Sequence, residues 1–312
     1  MRVVFMGTPA FSIPSLEALI QEGQEVVGVY CPPDESRGRR RWSAEVSPVK
    51  QFALGRGLEV YQPTSLRDPR ALEALQRLQP DMIVVAAYGK ILPPAVLAIP
   101  PLGCLNVHPS LLPRHRGPSP VVTAILQGDR TTGVSIILLD AGMDTGPLLA
   151  QSEEQIRPKD TAPSLSGRLF RNGAKLLIEA IDLWVKGELQ PMPQDADRAS
   201  VTRLVAKEDG RVNWGDTAES VARMVRAYDP WPGVYTSWKG TRLKLLEVMA
   251  LTNAASDEPP GTVVRYQASG VAVATGRGLI LLRQIQLAGR RPLSAEEFCR
   301  GSRDFKGTRL LS

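Results

Sequence analysis

Only two histidines occur in the 312-residue chain, and both fall in one segment, Gly103-Cys-Leu-Asn106-Val-His108-Pro-Ser-Leu-Leu-Pro113-Arg-His-Arg-Gly117. Asn106 and His108 are one residue apart at an apparent strand end, where alternation puts i and i+2 on the same face. An amide and an imidazole therefore project together. Pro109 disfavours a helical backbone at His108 and biases it toward extended geometry. A second segment, Leu139-Asp140-Ala-Gly-Met-Asp144-Thr-Gly146, ends a strand in a glycine-bracketed loop that carries an acid. Such a loop can bring Asp144 back to the same sheet edge. A His/Asp/Asn set without a neighbouring nucleophilic Ser or Cys suits acyl transfer with no covalent enzyme intermediate. His108 can take a proton from an attacking amine, general base catalysis being worth about 10²–10⁴-fold. Asn106 can donate to the oxyanion of a tetrahedral intermediate. Asp144 can orient His108 or relay a proton through water. The same residues could also act structurally, Asn106 and His108 as strand-end caps and Asp144 as a turn residue. Spacing leaves both readings open.

The elements that must position these groups alternate strand and helix. Strands are expected at Arg2–Met6, Glu25–Cys31, Leu58–Tyr61, Asp81–Ala87, Leu102–Val107 and Gly133–Leu139. The continuous apolar run Asp81–Ala87 reads as a strand buried on both faces. Helical spacing marks Asp68–Leu78 and the long stretch Thr161–Lys186, with Leu165, Leu169, Leu176, Ile181 and Trp184 on one face. The fold class expected is α/β, a Rossmann-like, mostly parallel sheet with helices on both faces. Ligands in such sheets bind beyond the carboxyl ends of the strands. Met6-Gly7-Thr8-Pro9 lacks the Gly-x-Gly-x-x-Gly pattern, which weighs against a dinucleotide.

After Gly187 the character changes. Strand-like stretches at Arg242–Val248, Gly261–Tyr266, Gly270–Thr275 and Leu279–Leu287 predict a smaller β-barrel domain of the oligonucleotide-binding kind. Ser294-Ala-Glu-Glu297 is a capping box for a late helix. The expected organisation is a catalytic domain over 1–190, a linker over 191–206 and a basic barrel over 207–312. The net charge is +6, and residues 191–312 hold 18 Lys/Arg against 13 Asp/Glu, whereas residues 1–190 hold 20 against 19. Positive charge concentrated in one domain points to an anionic partner, or to an Arg-rich composition with none. The cluster Ser36-Arg37-Gly-Arg39-Arg40-Arg41-Trp42 combines cations with an aromatic ring, which suits phosphate contact and base stacking. Alone, it reads first as a solvated charge run. Three scattered cysteines (Cys31, Cys104, Cys299) show neither metal nor disulfide spacing. With no signal-peptide pattern and no membrane-span-sized apolar run, a cytoplasmic protein without a metal is expected.

Asn106-Val-His108-Pro-Ser-Leu-Leu-Pro113 together with Asp144-Thr-Gly146 resembles the signature of folate-dependent formyltransferases. Phe5-Met-Gly-Thr-Pro-Ala-Phe11, Ala86 through Pro93, Arg114 through Gly117, Pro230-Trp-Pro-Gly233 and Gly261-Thr-Val-Val264 are similar to the branch that acts on methionyl-tRNA. The resemblance runs nearly the whole chain. It implies 10-formyltetrahydrofolate as formyl donor and the α-amino group of methionyl initiator tRNA as acceptor. It implies Asn106, His108 and Asp144 as the catalytic trio, and Ser110, Leu111, Leu112 and Pro113 as a stretch near the folate. Tyr88, Gly89, Ile91 and Leu92 resemble the loop lining the pterin pocket. Arg37, Arg39, Arg40, Arg41 and Trp42 fall where the family has a loop engaging the tRNA acceptor end. Pro109 stands where many members of that branch carry Gly, and His115 where Tyr or Trp is common. Formylation of a small amine, hydrolysis of the folate donor, and non-catalytic RNA binding are the competing functions. The basic domain argues against the first two, and the intact trio against the third. A monomer is expected.

Overall fold

The computed structural model describes residues 1–36, 44–267 and 270–311. Arg37, Arg39, Arg40, Arg41 and Trp42 therefore lie outside the described residues. The chain divides into two compact units. One comprises Met1–Pro120, Arg130–Gln155 and Ser166–Arg203, and the other Val121–Asp129, Ile156–Leu165 and Leu204–Ser312.

The first part of the chain runs β1 (Arg2–Gly7), α1 (Ile13–Gln21), β2 (Glu25–Tyr30), β3 (Glu35–Ser36), β4 (Ala44–Glu45), α2 (Pro48–Gly55), β5 (Val60–Tyr61) and α3 (Pro69–Arg77). It continues with β6 (Met82–Ala86), α4 (Pro94–Leu97), β7 (Cys104–His108), α5 (Pro120–Gln127), β8 (Thr131–Leu138), β9 (Leu148–Gln155) and α6 (Ala162–Val185). Seven strands form one sheet in the order β5-β2-β1-β6-β7-β8-β9. The pairs from β5 to β7 are parallel, and β7–β8 and β8–β9 are antiparallel. β8 and β9 pair antiparallel because they are joined directly by the Asp144 loop, a connection too short for a parallel crossover.

Burial explains the central strands. Val3, Val4, Phe5 and Met6 of β1 and all five residues of β6 are buried, as apolar runs covered on both faces must be. Helix starts follow local chemistry. The Asp68 side chain accepts from the Arg70 amide with Pro69 in the first turn, and Ser47 accepts from Lys50 ahead of Pro48. In α6 the buried face carries Leu165, Leu169, Leu177 and Ile181. Leu177 occupies the buried position expected for Leu176, which is only partly covered. Trp184 closes the helix by donating from Nε1 to the Leu102 carbonyl (2.9 Å).

The second unit contains α7 (Ala218–Ala227), β10 (Val234–Trp238), β11 (Thr241–Leu251), β12 (Val263–Tyr266), β13 (Gly270–Ala274), β14 (Leu279–Leu287), β15 (Leu293–Ser294) and α8 (Ala295–Gly301). Its antiparallel sheet has the order β10-β11-β14-β13-β12, with β15 on β14. The two outer strands are tied together by the last residues. Leu311 bridges Ser237 on β10, and Arg309 bridges Thr262 beside β12. This is the partly closed barrel expected from the short strands. Trp238, Phe298 and Phe305 pack edge-to-face in its core, with ring centroids 4.9–5.5 Å apart. The Ser294/Glu297 capping box opens α8. Among the described residues, no helix is long and apolar enough to cross a membrane.

Candidate active site

β7 ends in Asn106 and His108 beside the carboxyl ends of β1 and β6. Asn106 Nδ2 donates to Asp144 Oδ1 at 3.4 Å, and His108 Nδ1 lies 3.5 Å from Asp144 Oδ2. The alternation that puts positions 106 and 108 on one face thus delivers both side chains to one carboxylate. Asp144 Oδ2 also accepts from the Gly117 amide at 2.7 Å. The trio expected from two separated motifs converges on a single point.

The Asp144 loop is built to return there. Asp140 Oδ1 accepts from the Gly142 amide (3.0 Å) and from Thr145 Oγ1 (2.7 Å), folding the loop on itself. Asp144 takes a left-handed backbone (φ 53°), which Asp tolerates better than most side chains. Gly117, at φ 97°, has no such latitude to lose. A Cβ there would lie 2.9 Å from the Thr202 carbonyl oxygen, and Gly is the residue that accepts both demands.

His108 is 4% exposed. Its Nε2 is 3.0 Å from the His115 carbonyl oxygen. A carbonyl only accepts, so the proton is assigned to Nε2, and Nδ1 keeps its lone pair toward Asp144. Burial pushes the imidazole below its ordinary value, while the Asp144 carboxylate and the His115 carbonyl pull it upward. Burial prevails, so the resting imidazole is neutral near pH 7. A neutral imidazole with a free nitrogen facing a carboxylate can accept a proton and have the resulting charge stabilised at once.

A formyl transferase family profile matches residues 1–181, and its C-terminal domain profile matches residues 204–303. The chain belongs to the formyl transferase family. The methionyl-tRNA formyltransferase of Roseiflexus sp. (strain RS-1) is 49% identical over 311 residues, covering 99% of this chain and 95% of that protein. Two solved structures share the fold at lower identity. The N-formyltransferase from Helicobacter canadensis, in complex with folinic acid and dTDP-3-aminofucose, aligns with a TM-score of 0.68 at 17% identity, covering 90% of this chain and 98% of that one. HypX from Aquifex aeolicus, in complex with tetrahydrofolic acid, aligns at 0.63 and 19%, covering 96% of this chain. This chain spans about half of HypX, 47% of its length.

In this formyl transferase the two loops expected near the folate follow the adjacent strands β6 and β7. Tyr88 is buried, and its carbonyl accepts from Thr8 Oγ1 (3.0 Å) beyond β1. Gly89 is exposed at φ 82°, Ile91 is 74% exposed, and Leu92 is buried. In the other loop Ser110 and Leu112 are buried and Leu111 and Pro113 half-buried. That loop hangs on Ser135, which sits opposite His108 across the β7–β8 ladder. Ser135 Oγ donates to the Ser110 carbonyl (2.6 Å) and accepts from the Leu112 amide (3.1 Å) and Gln151 Nε2 (2.9 Å). Gln151, opposite Ser135 on β9, also donates to the Leu112 carbonyl (2.8 Å).

Sequence reasoning passed over Ser135 and Gln151. Their signal was weak but present: polar residues in β8 and β9 at the register of His108. The stretch 191–206, expected as a linker, also does more than connect. Ser200 Oγ accepts from the His115 amide (2.8 Å), and the Ser200 carbonyl accepts from the Arg116 amide (2.8 Å). Thr202 Oγ1 donates to the Arg116 carbonyl (2.9 Å) and accepts from the Ser119 amide (3.0 Å). Cys31 and Cys104 are buried, and burial pushes the Cys104 thiol up to about 12. Among the described residues, no cluster of three or more His, Cys, Asp or Glu could hold a metal ion.

Proposed function

We propose that this chain transfers the formyl group of 10-formyltetrahydrofolate to the α-amino group of methionyl initiator tRNA, by direct amine attack through a tetrahedral intermediate. The convergence of Asn106, His108 and Asp144 on one sheet edge carries this reading. The full-length kinship with a protein named methionyl-tRNA formyltransferase supports the acceptor. Solved relatives named with folinic acid and tetrahydrofolic acid support the donor. The adjacent loops Tyr88–Leu92 and Ser110–Pro113 flank the strand ends where a ligand of this sheet class binds. An exposed apolar side chain and a glycine at positive φ beside backbone carbonyls suit a flat heterocycle.

The amine attacks the formyl carbon as His108 Nδ1 takes one of its protons. Asn106 Nδ2 donates to the oxyanion that forms. Its present bond to Asp144 is long at 3.4 Å, so the donor is readily redirected. Asp144 stabilises the imidazolium. The bond between the formyl carbon and the folate nitrogen then breaks, and that nitrogen receives the proton from His108, directly or through water held by Asp144.

In this reading residues 1–190 bind the folate and 207–312 bind tRNA. Arg37, Arg39, Arg40, Arg41 and Trp42 engage its acceptor end on the strength of their composition. One chain acts alone, in the cytoplasm, without a metal. The test mixes purified protein with labelled methionyl initiator tRNA and 10-formyltetrahydrofolate beside a His108→Ala control. Transfer lost in the control and weakened by salt supports the proposal. Consumption of the folate with no formylated tRNA would refute the acceptor.

A further inference from the structure

We infer that Gln194 is a positioning residue for formyl transfer, its side-chain amide holding the Asp144 loop in the geometry that faces His108. The inference rests on the function proposed above and extends it to a segment that no catalytic motif includes.

Gln194 Nε2 donates to the Asp144 carbonyl at 2.8 Å and to the Gly146 carbonyl at 2.7 Å. Its Oε1 accepts from Arg116 Nε at 3.0 Å and Arg116 Nη2 at 2.8 Å. An amide offers two donors on nitrogen and two lone pairs on oxygen, and all four are used. Only one orientation of the amide works, because a flip would set its oxygen against two carbonyls and its NH₂ against a guanidinium. The contact is therefore specific in direction as well as in place.

The groups on either side are those that build the site. The Nε2 bonds bracket Thr145, holding the carbonyls at 144 and 146 on the loop whose left-handed residue is Asp144 (φ 53°). The Oε1 bonds hold the side chain of Arg116, which lies between His115 and Gly117. The His115 carbonyl fixes the His108 tautomer, and the Gly117 amide holds the Asp144 carboxylate. One half-buried side chain thus locks together the two loops on which the His108–Asp144 approach depends. Its own segment is anchored two residues earlier, where Met192 and Leu148 exchange both backbone hydrogen bonds (2.8 and 2.9 Å). An apolar replacement keeps neither pair of bonds, and a carbonyl left without its donor is free to turn.

Gln194→Glu separates the two halves of the contact. It keeps the length and the pairing with Arg116, but opposes two carbonyls with a carboxylate. Gln194→Ala removes both halves. The full-length protein is assayed with methionyl initiator tRNA and 10-formyltetrahydrofolate for kcat, KM and the pH–rate profile. The imidazole titrations are followed by NMR, in which only two histidines contribute. Small displacements of a catalytic group cost on the order of 100-fold. We expect kcat to fall by about that factor in both variants, with KM for the tRNA unchanged. The acid limb and the His108 titration should both move to lower pH, because Asp144 would no longer favour the imidazolium. Wild-type kcat and pH profile in Gln194→Glu would overturn the inference. So would a lowered Tm with unchanged kcat per folded molecule, the mark of a purely structural contact. If the wild type formylates no tRNA, the functional reading fails separately, and the His108 titration alone decides the role of Gln194.

Discussion

The carboxyl-end loops of the first unit and the core of the barrel hold their shape by opposite means. Around His108, the decisive contacts are hydrogen bonds reaching far along the chain: Asp144 to Asn106 and Gly117, Gln194 to Arg116 and Asp144, Ser135 to Ser110 and Leu112. Asp144 adopts a backbone that side chains hold at a cost. In the barrel, Trp238, Phe298 and Phe305 meet edge to face among Val and Leu side chains, and Phe305 is fully buried. Apolar packing is non-directional and tolerates small shifts, whereas a proton acceptor and an oxyanion donor must be aimed. The first region gives up packing for direction, and the second does the reverse.

Substitutions should respect that division. His108→Ala should lower kcat by about 10²–10⁴-fold, measured by formyl transfer, and leave the urea midpoint nearly unchanged. A large loss of stability instead would mean that the loops are structural. Phe305→Ala should have the converse signature. Truncating a buried Phe costs about 3–5 kcal/mol, read from denaturant unfolding, with little effect on kcat per folded molecule at saturating tRNA. Asn106→Ala should cost about 10²–10³ in kcat, because an oxyanion donor matters most in the transition state. A rise in KM with kcat preserved would assign Asn106 to ground-state binding instead.

Titration gives a further contrast. Burial depresses the His108 pKa in the folded chain below its unfolded value. Its neutral form therefore supports the fold fully above about pH 6.5, and the contribution is lost as pH falls toward the folded value. Stability against denaturant should decline through that window and do so less in His108→Ala; equal decline in both would remove His108 from the account. The smallest effect is expected at Ser294, whose side chain caps α8. Ser294→Ala should destabilise by about 1 kcal/mol in thermal unfolding, without changing the reaction.

Much of this was legible in the residues because the signals are local. Continuous apolar runs announced the central strands, and the Ser294/Glu297 capping box marked the start of α8. The spacing of Asn106 and His108 predicted a shared face through the two-residue period of a strand. Asp144-Thr-Gly146 announced a tight loop, and Thr145 does close it. Near the active site, the less legible features were those whose partners lie far along the chain. Ser135 matters because antiparallel register sets it opposite His108, and Gln151 because a second register sets it opposite Ser135. Neither register is written in the periodicity of its own strand. Gln194 sits in a Pro- and Asp-rich stretch that reads as a connector, and it acquires a role only where the folded chain brings it between Arg116 and Asp144. Local preference selects strands, turns and caps within a few residues, so it can be read along the chain. A hydrogen bond spanning 50 or 78 residues exists only after packing has paid the entropy of bringing its ends together, and its partners are chosen at that stage.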